Sequence, residues 1–195
     1  MPDQQRLLDI IDRFGSTSVA LIGDLVLDRF ILGTPKRISR EAPVIILRHE
    51  GQRDVPGGAA NALANMAALG LRVTALGALG DDEPGEALRA ALAERGIDTD
   101  PLVVVPGYRT PTKVRLLGGG ASSLKHQVAR YDIEDELPSG GDWNRRLVDR
   151  MSTVCNCAAV AISDYGYGCV EPGIVGALRD TLGRDAWITL DSRYR

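Results

Sequence analysis

The feature that most constrains this chain is a rhythm of short, largely apolar segments alternating with stretches of helical periodicity. Residues 18–22, 73–79, 158–162 and 187–190 are apolar almost throughout and too short to be buried helices. Between them lie amphipathic stretches with recognisable ends. Residues 59–69 form a small-residue helix closed by Gly70. Asp82 caps a second helix, with Pro84 in its first turn, Leu88 and Leu92 on its inner face and Gly96 after it. A third starts near Asp142 and sets Trp143, Leu147 and Met151 on one side, and a fourth covers 172–182. At the N-terminus Leu7, Leu8, Ile10, Ile11 and Phe14 recur at helical spacing, with Gly15 as the expected C-terminal cap. Strands that are apolar on both faces and separated by helices mean a mostly parallel sheet covered on both sides, an α/β fold.

Two stretches, residues 31–47 and 102–131, break the rhythm. Pro35 and Pro43 exclude a long helix from the first, and Gly118-Gly119-Gly120 marks a turn in the second. Both read as strands standing apart from the main sheet, as a lid would. One domain over residues 1–195 is expected from the length.

With 23 Lys+Arg against 26 Asp+Glu the chain is slightly acidic, at net charge −3. No long basic block is present, so neither nucleic acid nor an anionic membrane is an expected partner. The polar start Met1-Pro2-Asp3-Gln4 lacks the basic-then-apolar pattern of a signal peptide, and no apolar run is long enough for a membrane span. Three cysteines without zinc spacing (Cys155, Cys157, Cys169) fit a reducing cytoplasm, and Cys155-x-Cys157 reads as a pair of small hydrophobes.

In an open parallel sheet, ligands bind beyond the carboxyl ends of the strands. Asp24, Asp164 and Asp191 each follow or end an apolar segment, and Asp28 lies four residues beyond the first of them. A single such Asp is ordinarily a cap or turn former. Three on one rim are placed to coordinate magnesium, orient hydroxyls or take a proton. Pro56-Gly57-Gly58-Ala59-Ala60-Asn61 is a glycine turn leading into a helix, where backbone approaches a ligand closely and free N–H groups point at it. Asn61 and Asn65, one turn apart, offer the donors and acceptor that suit sugar hydroxyls, although a plain turn with an Asn cap fits the same residues. Lys113 and Arg115 fall on one face of a strand, and Lys36-Arg37 adds charge in the other lid segment. Each alone suits a solvated surface, and together they suit a phosphate. No phosphate-binding P-loop, dinucleotide fingerprint or nucleophile elbow is present, and His49 and His126 belong to no metal cluster.

Taken in order, the motifs resemble the ribokinase-like (PfkB) carbohydrate kinases. The similarity is carried by Gly23-Asp24-Leu25-Val26-Leu27-Asp28-Arg29-Phe30, Arg37-Ile38-Ser39, Glu41-Ala42-Pro43-Val44 and Pro56-Gly57-Gly58-Ala59-Ala60-Asn61. It continues through Gly77-Ala78-Leu79-Gly80-Asp81-Asp82 with Gly96-Ile97-Asp98, then Thr112-Lys113-Val114-Arg115 and Ser163-Asp164-Tyr165. Within the family the match is most similar to kinases that phosphorylate D-glycero-D-manno-heptose 7-phosphate at O1. Two motifs depart from the pattern. Asp164-Tyr165-Gly166-Tyr167-Gly168 stands for Asp-Tyr-Ala-Lys-Gly, and Asp191-Ser192-Arg193 stands for Asp-Pro-Lys.

The resemblance implies an ATP- and Mg2+-dependent kinase with a β lid that closes over the sugar and forms a dimer contact. By motif position Asp28, Gly57, Gly58 and Asn61 would hold the sugar, while Lys113, Arg115 and Arg37 would face its phosphate. Asp164, Asp191 and Arg193 would lie on the nucleotide side. The family's Gly-x-Gly-Asp segment, which carries the acceptor base, has no counterpart in these 195 residues. The expectation is therefore an incomplete, truncated ribokinase-like domain, with the catalytic base unassigned and Asp164 the nearest candidate. The alternative from another class is a non-catalytic sugar-phosphate-binding or regulatory module built on the same fold.

Overall fold

The computed structural model describes residues 3–120, 124–183 and 186–193. Its centre is a fully parallel sheet in the order β10-β9-β1-β4, formed by β1 (Ser18–Gly23), β4 (Arg72–Leu76), β9 (Ala159–Asp164) and β10 (Trp187–Ser192). Period-two alternation sends side chains into two separate cores. Ala20, Ile22, Leu76, Val160 and Ile162 face α4 (Asp142–Arg150) and α5 (Pro172–Leu182), meeting Trp143, Leu147, Ile174 and Leu178. Leu21, Val73 and Ala75 face the other way, against Ala60 and Leu63 of α2 (Ala59–Ala68) and Leu88 and Leu92 of α3 (Glu83–Ala93). Helices therefore cover both faces of the sheet. Asp82 caps α3 as expected, accepting from the Gly85 N–H at 3.0 Å.

The apolar run 73–79 is two strands rather than one. It breaks at Gly77 between β4 and β5 (Ala78–Gly80), where a Cβ would sit 2.8 Å from the Gly23 carbonyl oxygen. β5 pairs in parallel with β6 (Val103–Val105). This corrects the lid boundary: residues 102–105 belong to the body, where Val103 and Val105 join the core beneath α4. Gly15 is not a cap either. The first helix, α1 (Gln4–Asp12), closes on Arg13, and Gly15 lies in the short 3-10 turn that follows.

The lid is a second sheet, in the order β3-β2-β7-β8. Its two long strands, β2 (Leu25–Ile38) and β3 (Ile45–Gly58), are antiparallel, reach well beyond 31–47 and are rooted in the body at both ends. β7 (Thr112–Gly118) runs parallel to β2, and β8 (His126–Ile133) antiparallel to β7. Residues 121–123, which follow the expected turn at Gly118-Gly119-Gly120, lie outside the described residues.

Candidate functional site

The site is built where the lid strands leave the body. β2 starts two residues after β1 ends, and β3 ends where α2 begins, so Asp28, Gly57 and the first turn of α2 share one rim. Gly57 has no room for a side chain: a Cβ there would lie 2.7 Å from an Asp28 carboxylate oxygen. Gly58 takes φ +54°, and a Cβ there would meet Val26 at 2.7 Å. These glycines are required by close approach as well as by the turn. No side chain caps α2, and Asn61 stands exposed in its first turn with no side-chain partner for its amide among the described residues.

Register places the lid charges. Asp28 lies opposite Lys113 and Val55, Phe30 opposite Arg115 and Arg53, and on the far strand Asp132 and Arg130 lie opposite Lys113 and Arg115. Paired residues of neighbouring strands point to one face, so these side chains form a single charged surface around Asp28. Arg115 donates to the Asp28 carboxylate, and its guanidinium sits 5.3 Å from the Phe30 ring. Lys113 reaches the Tyr167 hydroxyl at 2.9 Å, Glu134 at 3.4 Å and Asp132 at 3.5 Å. The Tyr167 hydroxyl donates in turn to Glu134 at 2.6 Å. Arg130 donates to Asp132, and this hydrogen bond holds the Asp132 carboxyl below its ordinary value. Arg37 is not part of the cluster. It is exposed near the far end of β2, nine residues from Asp28 or about 30 Å of strand.

The strand-end acids do not converge as free ligands. Asp24 is 2% exposed and spent on the backbone. It accepts from the N–H groups of Tyr165 at 2.7 Å, Cys169 at 3.0 Å and Tyr167 at 3.2 Å. Burial pushes its carboxyl above the ordinary range against the pull of those three donors, and nearby Asp164 pushes the same way. Asp164 accepts from the Gly166 N–H at 3.0 Å and the Ser192 hydroxyl at 2.8 Å. Asp191 is exposed opposite Ser163, and the Arg193 guanidinium lies 5.3 Å from the Tyr165 ring. Among the described residues no group of three His, Cys, Asp or Glu side chains is placed to hold a metal ion. With Asp24 buried and committed to three backbone N–H groups, and no third acid placed beside it and Asp164 among the described residues, this rim does not fit Mg2+ on its own.

Tyr167 is the residue that the sequence undersold, visible there only as a departure from a lysine. Asp24 holds its backbone and its hydroxyl meets Lys113, which ties the β9 loop to the lid. Beside it a cavity of about 360 Å³ opens between Tyr165, Gly166 and Tyr167 on one wall and Glu134, Asp135 and Glu136 on the other. Pairing β7 with β8 on the sequence would have found Asp132, whose alternation with Arg130 matches that of Lys113 with Arg115.

A parallel sheet under a separate four-stranded lid is a fold shared with solved structures of ribokinases. The structure of an Arabidopsis thaliana ribokinase complexed with ribose and ATP matches 90% of this chain and 53% of its own, at TM-score 0.56 and 17% identity. The family model for pfkB family carbohydrate kinases matches residues 16–135, and the chain belongs to that family. Among curated relatives, the bifunctional protein HldE of Hyphomonas neptunium is 38% identical over 174 residues, covering 89% of this chain and 35% of that protein. HldE of Nitrosococcus oceani is 42% identical over 163 residues, covering 83% and 33%. The chain thus spans about a third of the length of the relatives it matches.

Proposed function

We propose that these residues form the sugar-phosphate-binding part of an ATP-dependent carbohydrate kinase, acting on a heptose 7-phosphate at O1. The observation that carries this reading is the placement of Asp28, pressed against the Cα of Gly57 and held by Arg115 beside the uncapped start of α2. A carboxylate fixed at a helix N-terminus, with an exposed amide one turn in, can orient the hydroxyls of a sugar. Lys113 and Arg115 stand on the same face, next to the position where a phosphate on that sugar would lie. The similarity to HldE proteins supports the heptose.

ATP, when bound, supplies the transferable phosphoryl group. Phosphoryl transfer rests on positioning and charge stabilisation around that group. The residues described here position the acceptor, and none of them is assigned as the acceptor base. It is placed in the cytoplasm, in keeping with three unpaired cysteines. Neither nucleic acid nor membrane is included as a partner, and no helix among the described residues is long and apolar enough to cross a membrane.

The reading includes a homodimer through the lid. Its outer side is apolar and uncovered: a cavity of about 450 Å³ lies between Val44, Ile45, Leu47, Leu116, Val128 and Ala129. Sedimentation at high concentration that stays strictly monomeric would remove the dimer from the reading.

Calorimetry of heptose 7-phosphate against the chain and against Asp28→Ala is the direct test of the site. The substitution weakens binding by roughly 1.5–3 kcal/mol, the worth of a charged hydrogen bond. Equal binding by the two proteins rejects the site. An ADP-release assay on the same chain is expected to show no turnover, and robust turnover would mean the base lies within these residues, with Asp164 the first to mutate.

A further inference from the structure

The charged lid surface is unevenly neutralised. Lys113 is shared between Asp132 and Glu134, Arg115 is paired with Asp28, and Arg130 with Asp132. Arg53, on β3 opposite Phe30, is exposed and has no carboxylate partner among the described residues. Its guanidinium carbon lies 5.3 Å from the centroid of the Phe30 ring. Phe30 lies between Arg53 and Arg115 in strand order and stacks with both, so it holds the Arg53 fork over the face while leaving its donors unused. In register Arg53 is the diagonal neighbour of Asp28, at about 7–8 Å between strands.

We propose that Arg53 is the specificity-determining cation of this site, taking the phosphate of a sugar whose hydroxyls meet Asp28. The proposal rests on the sugar-phosphate reading above and reassigns its anion contact. A phosphate arriving at Lys113 or Arg115 must displace a carboxylate already bound there. At Arg53 it displaces only water, and it meets a planar fork that matches two phosphate oxygens. The separation from Asp28 suits a substrate with its acceptor end and its phosphate on opposite ends of one sugar.

The experiment follows side-chain Nε–H resonances of the arginines and the ammonium of Lys113 in the full 195-residue chain. Inorganic phosphate is titrated first, then heptose 7-phosphate, with calorimetry of heptose 7-phosphate and free heptose on wild type, Arg53→Gln and Arg53→Lys. Both anions are expected to move Arg53 before any other cation. Arg53→Gln weakens heptose 7-phosphate about 10- to 100-fold, as loss of a charge-assisted hydrogen bond implies, and leaves free heptose unchanged. Arg53→Lys restores part of the loss, since the charge returns without the fork. Movement of Lys113 or Arg115 with a silent Arg53, or equal weakening of both sugars in Arg53→Gln, overturns the proposal. If inorganic phosphate moves Arg53 but neither heptose binds wild type, the sugar reading fails and Arg53 stands as an anion site.

Discussion

The body and the lid use the same strand geometry for opposite ends. In the body β1, β4 and β9 pack between helices, and the contacts that hold them are apolar: Ile22, Leu76, Trp143, Leu147 and Leu178 are all at most 2% exposed. In the lid, β8 has no buried residue, and charge pairs between strands, Lys113 with Asp132 and Arg115 with Asp28, lie on one face with an apolar patch on the other. Burial is worth about 25 cal/mol per Å², whereas a solvent-facing ion pair contributes at most about 1 kcal/mol. The body is thus the rigid platform. The lid is a surface of individually weak, exchangeable contacts, which suits a part that must rearrange around a charged ligand.

The comparison breaks most visibly in the body. Leu147 is fully buried on α4, in the core that also holds Trp143 and Ile174. Leu147→Ala is expected to cost about 2–5 kcal/mol, from lost transfer energy and the cavity left behind. Urea denaturation measures it, and a loss under about 1 kcal/mol would show that this core collapses around the gap and is less rigid than its packing implies.

The two regions also respond to pH with opposite sign, through one carboxylate each. Asp24, in the body, has its carboxyl raised above the ordinary 3.8, burial being the main cause. The folded chain therefore holds this proton more tightly than the unfolded chain. Its contribution is complete below 3.8 and is lost as pH rises through the folded value. Asp24→Asn leaves backbone N–H groups of residues 165–169 poorly satisfied and costs about 1–3 kcal/mol, the gap to wild type narrowing as pH rises. Asp132, in the lid, is lowered below 3.8, chiefly by its hydrogen bond with Arg130, so its contribution is present above 3.8 and fades as pH falls through the lower folded value. Asp132→Asn therefore costs less than about 1 kcal/mol near neutrality and nothing in strong acid. Chemical denaturation of the pair across acid to neutral pH reads both slopes, and parallel slopes would contradict the assignment of either environment.

The same contrast decides what could be read from the sequence. The residues forming α5 and the Asp82 cap of α3 were legible because apolar spacing and cap chemistry are local. The lid strands were underestimated because Asp28, Arg29, Arg53 and Asp54 look like loop residues until β2 and β3 are paired. In the structure Arg29 and Asp54 neutralise one another at 2.7 Å, a contact between residues 25 apart. Residues 102–105 were assigned to the lid because three valines in a row carry no signal of which sheet they join. The link from Tyr167 to Lys113 spans 54 positions, and no local pattern announces it.

The smallest effect is expected where the body itself lacks cover. α1 buries none of its residues, and Leu7, Leu8 and Ile11 are 46%, 46% and 55% exposed. The stripe keeps helical spacing, yet none of its side chains is buried among the described residues. Ile11→Ser should then change stability by no more than about 0.5 kcal/mol, as for other exposed sites. The same substitution in a chain extended to the length of its relatives offers the contrast. If α1 is covered there, Ile11→Ser costs several times more than in the 195-residue chain, and thermal denaturation of the four proteins separates the cases. A large loss in the short chain would instead mean that α1 docks on the body in solution, and that burial reaches further than the exposed stripe suggests.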